Sequence, residues 1–179
     1  FSVSSFQNLF HMHNMYLQDV ETTAIHGGSL RITAQKKGFG KKPTRNVKRH
    51  IDRELASLSL KTVKNFGVQA NSEVSRLKEK LEQYKKQGLK VGGYGCPART
   101  STITNFGAIG ADLIDFIVDD SPLKQNRFSP AQHISIVPFS NQTPDVWVIF
   151  AFEYYAQIKE KLSPDSIRIF PIPPREVNI

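Results

Sequence analysis

Gly93-Tyr94-Gly95-Cys96-Pro97-Ala98-Arg99-Thr100, within the stretch from Val91 to Val137, decides how this chain is read. About twenty residues further on lies Asp119-Asp120-Ser121-Pro122-Leu123-Lys124-Gln125. A strand that leaves through Gly-x-Gly and turns into a helix is how open α/β sheets bring backbone N–H groups close to an anionic ligand. The second half of the chain therefore reads as a ligand-binding α/β domain.

Working outward, short apolar runs recur at Leu89 to Tyr94, Phe116 to Val118, Ile134 to Val137, Val146 to Phe152 and Ile167 to Ile172. Such runs suit strands covered on both faces, and the gaps between them are long enough for crossovers, so a mostly parallel, Rossmann-like sheet flanked by helices is expected over 89–179. Ligands on such sheets bind beyond the carboxyl ends of the strands, where both quoted segments fall.

Ahead of this domain the pattern differs. From Ser4 to Tyr16 the apolar residues Phe6, Leu9, Phe10 and Met12 recur at helical spacing, with Ser4 or Ser5 as N-cap. Two strand-like runs, Leu17 to Ile25 and Ser29 to Gln35, meet at His26-Gly27-Gly28, which has turn composition. Residues 1–45 are read as a helix and strand hairpin continuing an upstream domain. Residues 46–88 are read as a basic helical bridge: Ile51, Leu55, Leu58 and Val63 form one apolar stripe, Val74, Leu77, Leu81 and Tyr84 a second, and Gly88 a C-cap.

Charge is concentrated in the middle. The chain of 179 residues carries a net charge of +8, and between Gln35 and Lys90 lie 16 lysines and arginines against 5 acids, leaving the remainder net acidic. This segment is either a solvated helical face with a basic loop or a patch for nucleic acid or phosphate. No aromatic residues alternate with the lysines as a stacking platform would require, which favours the first reading.

The single cysteine, Cys96, leaves no internal disulfide framework and no cysteine-based zinc site, and fits a reducing compartment such as the cytoplasm. Between Gly95 and Pro97 it reads as space-filling beside a turn. The longest apolar run, Val146 to Phe152, is too short to span a bilayer. With Phe1 at the start and no leader pattern behind it, the chain is expected to be a piece of a longer protein.

Gly93 through Arg99, Val118-Asp119, Pro122-x-Lys124-Gln125, Pro130 and His133-Ile134, with His26-Gly27-Gly28-Ser29-Leu30-Arg31 before them and Phe170-Pro171-Ile172-Pro173 after, resemble the carboxyl-terminal domain of SAM-dependent C-methyltransferases. That group includes enzymes acting on nucleotide-linked deoxy-keto sugars, and the resemblance spans nearly the whole chain. It implies that a zinc-binding domain and a SAM-binding domain precede this region, so that S-adenosylmethionine is held upstream. It also implies a nucleotide-sugar or other small-molecule substrate held partly here. The family reaction removes a proton beside a ketone and lets the enolate attack the sulfonium methyl group. The family's Tyr, Glu and His candidates for base fall just ahead of Phe1, so no catalytic residue is assigned within the chain, and this piece alone is expected to be inactive.

What the resemblance implies residue by residue has a physical rationale at each position. Gly93 and Gly95 permit close backbone approach, or only a tight turn. Arg99 and Thr100 start the next helix, where a guanidinium and a hydroxyl meet phosphate. Asp119 accepts from ribose or sugar hydroxyls, while Asp120 faces solvent. Lys124 and Gln125 offer a charge and an amide, or form an exposed turn. His133 donates to a ligand or caps a strand. The chain departs from the family pattern at Arg99-Thr100 (commonly Lys-Gly), Pro130-Ala131 (Pro-Gly), Ile134-Ser135 (Ile-Pro) and near Phe150-Ala151-Phe152-Glu153 (Ala-Trp-Asn). The alternative is a non-catalytic module binding a nucleotide or, through its basic segment, RNA.

Overall fold

The computed structural model describes every residue except 26–27, 40–41, 141 and 178–179. The chain divides into two units, Phe1–Phe66 and Gly67–Ile179.

In the first unit, α1 (Val3–Met12) starts ahead of the expected Ser4 or Ser5 cap and ends before Tyr16, which already belongs to the following strand. The N-cap is Ser2, not Ser4 or Ser5: its hydroxyl accepts from Ser5 N at 3.0 Å, and Ser5 Oγ accepts from Ser2 N at 3.1 Å. This reciprocal pair satisfies two amides that a helix start leaves open. Ser4 instead donates to the Glu54 carboxylate, through N at 2.9 Å and Oγ at 2.7 Å. Strands β1 (Met15–Thr23) and β2 (Ser29–Lys36) pair antiparallel in the expected hairpin, with Thr23 opposite Ser29. The glycine turn at residues 26–27 lies outside the described residues. Helix α2 (Arg45–Ser57) completes the unit. Its small core gathers Val3, Leu17, Val20 and Val47, with Phe6, Phe10, Ile32 and Ile51 packed against them.

The two apolar stripes have different fates: the first runs along α2 and past its C-cap Leu58 into the start of α3 (Leu60–Lys86), and the second lies wholly on α3. Val74, Leu77, Leu81 and Tyr84 are buried as expected. Of the first stripe Ile51 packs on the small core, whereas Leu55, Leu58 and Val63, with Phe66 beyond them, are exposed. Gly88 ends the helical segment with φ +76°, a left-handed conformation that glycine adopts without a Cβ penalty.

The second unit is a seven-stranded sheet of β3 (Val91–Tyr94), β4 (Phe116–Val118), β5 (Arg127–Phe128), β6 (Ser135–Val137), β7 (Val146–Ile149), β8 (Ile167–Pro171) and β9 (Pro174–Glu176). Its order is β5-β6-β4-β3-β7-β8-β9. The five inner strands run parallel and match the five expected runs, while β5 and β9 are antiparallel edges. After β3 the chain winds outward through β4 to β6, then returns to lay β7 on the other side of β3. The carboxyl ends of β3 and β7 therefore flank a topological switch point.

Strand alternation assigns the two faces. Val91, Ile117, Val148 and Ile169 join Leu77 and Leu81 of α3 and Ile109 and Ile114, which follow helix α4 (Ala98–Gly107). On the opposite face Tyr94, Phe116, Trp147 and Ile149 meet Ile158, at the end of the short α5 (Tyr155–Ile158), and Leu162. Full burial of such side chains contributes about 1.5–3 kcal/mol each. These two layers fix the strand ends that carry the candidate residues.

Candidate functional site at the carboxyl edge of β3 and β4

The turn after β3 and the loop after β4 meet, and Asp119 joins them. One carboxylate oxygen accepts from Cys96 N at 2.7 Å and from Lys124 Nζ at 3.1 Å, and the other accepts from Ser121 N at 2.9 Å. Lys124 Nζ also donates to Cys96 O at 3.1 Å, and Gln125 Nε2 to Asp119 O at 3.0 Å. Beneath them Gly95 N donates to Val118 O at 2.7 Å, continuing the β3–β4 pairing past the strand ends.

These contacts set the local electrostatics. Burial, the largest influence, works to raise the Asp119 pKa, but the amides of Ser121 and Cys96 and the Lys124 ammonium outweigh it, and the carboxyl titrates below its ordinary range. Burial, followed by the adjacent Asp119 charge, pushes the Cys96 thiol up against the opposing pull of Lys124. Cys96 is therefore held as a thiol and is a poor nucleophile, in keeping with its space-filling reading.

Several expected ligand contacts are directed into the protein. A Cβ on Gly93 would stand 3.0 Å from Ile117 Cγ1 and 3.1 Å from Phe150 Cε2, so the missing side chain makes room for core packing. Gly95 combines φ +86° with a would-be Cβ 2.6 Å from the Ala151 methyl, so the space above its backbone is filled by the chain leaving β7. Thr100 is fully buried, and its hydroxyl donates to Gly95 O at 3.2 Å instead of facing outward. Asp119 spends both carboxylate oxygens on internal donors. His133 precedes β6, at the amino ends of the parallel strands, so the structure does not bring it to the edge where Asp119 and Lys124 meet.

Arg99 and Lys124 keep a ligand-facing capacity. Arg99 lies with its guanidinium 4.4 Å from the centre of the Phe152 ring and pairs with Glu153, both from the chain just past β7, so this cation straddles the switch point. The Lys124 side chain is 44% exposed and has a donor to spare beyond its two internal acceptors.

A second cluster on this edge has no counterpart among the residues that the sequence pattern singles out as ligand contacts. Tyr94 Oη lies 3.4 Å from both Asp120 carboxylate oxygens, and Lys161 Nζ donates to Tyr94 Oη at 3.3 Å and to Asp120 at 3.2 Å. Burial raises the Tyr94 pKa, with Lys161 opposing and Asp120 reinforcing. A pocket of about 240 Å³ lies beside Lys161, lined also by Phe139, Ser140, Gln142, Thr143 and Trp147. Alternation along β3 places Tyr94 opposite Gly93, which pointed toward this face, but Lys161 lies 67 residues from Tyr94 and carries no local signal of the partnership. Among the described residues no group of three or more His, Cys, Asp or Glu could hold a metal ion, and no helix is long and apolar enough to cross a membrane.

Residues 24–173 match the family model of the C-methyltransferase C-terminal domain. The chain is also similar to C-methyltransferase NovU of Streptomyces niveus, with 27% identity over 188 residues covering 99% of the chain and 45% of that protein. The chain thus spans less than half the length of this relative.

Proposed function

Because the chain belongs to the family of C-methyltransferase C-terminal domains, we propose that it is the substrate-side domain of a SAM-dependent C-methyltransferase acting on a nucleotide-linked keto sugar or related small molecule. Within this reading the methyl donor is held by another part of the full enzyme. The seven-stranded sheet does not fit S-adenosylmethionine: the backbone approach at Gly95 is occupied by Ala151, and the acid at the end of β4, which would meet ribose hydroxyls, has both oxygens engaged internally. A reducing cytoplasm remains the setting that fits the lone, buried Cys96.

The observation that carries the reading is the convergence of the β3 and β4 loops on one carboxyl edge, with Lys124 anchored there and still exposed. Asp119 and Gln125 act as positioning residues that fix the Lys124 ammonium. Arg99, braced on Phe152, supplies a second cation, and the pair suits the phosphate oxygens of a sugar nucleotide. Gly93 and Thr100 serve packing, and His133 is left out of the contact set.

The test is titration of the chain with a panel of nucleotide-linked keto sugars and with single-stranded RNA at two salt concentrations. We expect a nucleotide sugar to bind and Arg99→Ala and Lys124→Ala each to weaken it about tenfold, the scale of one charge-assisted contact. RNA binding that falls steeply with salt, with no response to nucleotide sugars, would sink the enzyme-domain reading and favour the nucleic-acid module.

A further inference from the structure

The first unit holds a pocket that the substrate-domain reading does not use. It has a volume of about 440 Å³ and lies between the second half of α1, the start of β1 and the first turns of α2. Its floor is apolar, built from Leu17, Val47 and Ile51, and its wall brings together His11, Arg45 and Lys48. That size lies within the usual range for small-molecule sites, and the chemistry is the usual combination of an apolar body and a few convergent polar groups.

Charge sets the sign of what fits. Phe1–Phe66 contains 11 lysines and arginines against 4 acids, whereas Gly67–Ile179 contains 13 against 12. The excess positive charge of the chain thus belongs to the unit that holds this pocket. The nearby acids are engaged: the Asp19 carboxylate accepts from Thr44 Oγ1 and, at 3.2 Å, from Asn46 Nδ2, while Asp52 pairs with Lys48 at 3.0 Å across two exposed side chains. An exposed pair of that kind contributes little, so the Lys48 ammonium can turn to a better anion at small cost. The Arg45 side chain makes no ion pair or hydrogen bond with any described residue, though it begins α2, and a free guanidinium is a bidentate receptor for a phosphate group.

We propose that this pocket is a second ligand site, which binds a small phosphorylated molecule with its phosphate on Arg45 and Lys48 and its organic body over Leu17, Val47 and Ile51. His11 and Gln7, on successive turns of α1, provide the polar side of the wall. The site shares no residue with the β3–β4 edge, so it stands or falls independently of the methyltransferase substrate assigned there.

The experiment uses the chain itself, with uridine diphosphate, inorganic pyrophosphate, uridine and oligouridylate as probes, measured by calorimetry and by methyl NMR of Leu17, Val47 and Ile51. We expect uridine diphosphate to bind tighter than pyrophosphate and far tighter than uridine, and to shift those three sets of methyl resonances. Arg45→Ala should weaken it at least tenfold with an unchanged circular dichroism spectrum, whereas Lys86→Ala, removing the same charge from α3, should change it less than twofold. Four outcomes would overturn the proposal: no binding of uridine diphosphate at millimolar concentration, equal effects of the two substitutions, binding without movement of the floor methyls, or oligouridylate binding more than tenfold tighter than uridine diphosphate. The last would mark the α2 face as a polyanion surface instead. The second of these outcomes, accompanied by loss of uridine diphosphate binding in Arg99→Ala, would place that ligand on the β3–β4 edge and refute this pocket alone.

Discussion

Asp119→Asn tests the clasp between the two loops most directly, because it changes one atom and leaves the side chain's size intact. Asp119 is 7% exposed, and its carboxylate accepts three hydrogen bonds, from two amides and an ammonium. An asparagine has one acceptor oxygen. Turned toward Cys96 and Lys124, it sets an NH₂ group against Ser121 N–H; turned toward Ser121, it does the same to the other two donors. Leaving a buried donor unpaired costs about 1–3 kcal/mol, and losing the charge from the surviving bonds adds about 1 kcal/mol. The expected destabilisation is therefore about 2–4 kcal/mol, against a total of only about 5–15 kcal/mol for a typical domain. Urea unfolding of wild type and variant from neutral to acid pH reads both size and sign. Because the folded-state pKa is depressed, the carboxylate's contribution is fully present above the unfolded value of about 3.9 and is lost as pH falls through the folded value. The gap between wild type and variant must therefore narrow in acid. A gap under about 0.5 kcal/mol at neutral pH, or one that does not narrow in acid, would refute the clasp.

Other substitutions probe the same framework. Gly95→Ala, combining a positive φ with a 2.6 Å approach to Ala151, should cost about 2–4 kcal/mol in chemical denaturation, and Gly93→Ala, against Ile117 and Phe150, about 1–3 kcal/mol. Ala131 adopts φ +62° where the family commonly has glycine, so Ala131→Gly should stabilise the protein by up to about 1 kcal/mol, read as a rise in urea midpoint. Arg168 is 3% exposed; among the described residues its Nε and Nη1 have no partner, and Nη2 donates to Ser163 O at 2.9 Å. Replacement by methionine, which keeps the bulk and removes the buried charge, should be neutral or raise stability by about 1–3 kcal/mol.

What the sequence revealed of the fold was what strongly patterned segments determine locally. Five apolar runs gave five parallel strands because each is buried on both faces, and the second stripe of α3 gave a buried seam because its 3.6-residue spacing faces one layer. The edges β5 and β9 are illegible: they have two and three residues, and their pairing depends on the free edges that β6 and β8 offer. The exposed Leu55, Leu58, Val63 and Phe66 show the converse limit, since an apolar stripe states what a helix could cover and says nothing of what lies opposite. Of the candidate site, the convergence of Gly95, Asp119 and Lys124 followed from the rule that loops gather at the carboxyl ends of parallel strands. Which way each group faces did not follow, because Thr100 and Asp119 have donors or acceptors that a ligand and the protein's own backbone satisfy equally well.

That distinction decides where ligand contacts belong on this edge. A glycine followed by a threonine at a helix start can serve a phosphate only if the space above the glycine is open and the hydroxyl is free; here Ala151 fills the first and Gly95 O takes the second. A carboxylate at a strand end can serve a sugar only if it faces outward, and Asp119 is 7% exposed with its carboxylate turned to three internal donors. The same internal bonds that disqualify these groups hold Lys124 by two acceptors and leave its ammonium facing outward, and Phe152 and Glu153 do the same for Arg99. A flexible cation that is fixed before a ligand arrives surrenders less freedom on binding than one on an open loop. The buried polar residues of the edge therefore contribute to recognition through the two cations they orient.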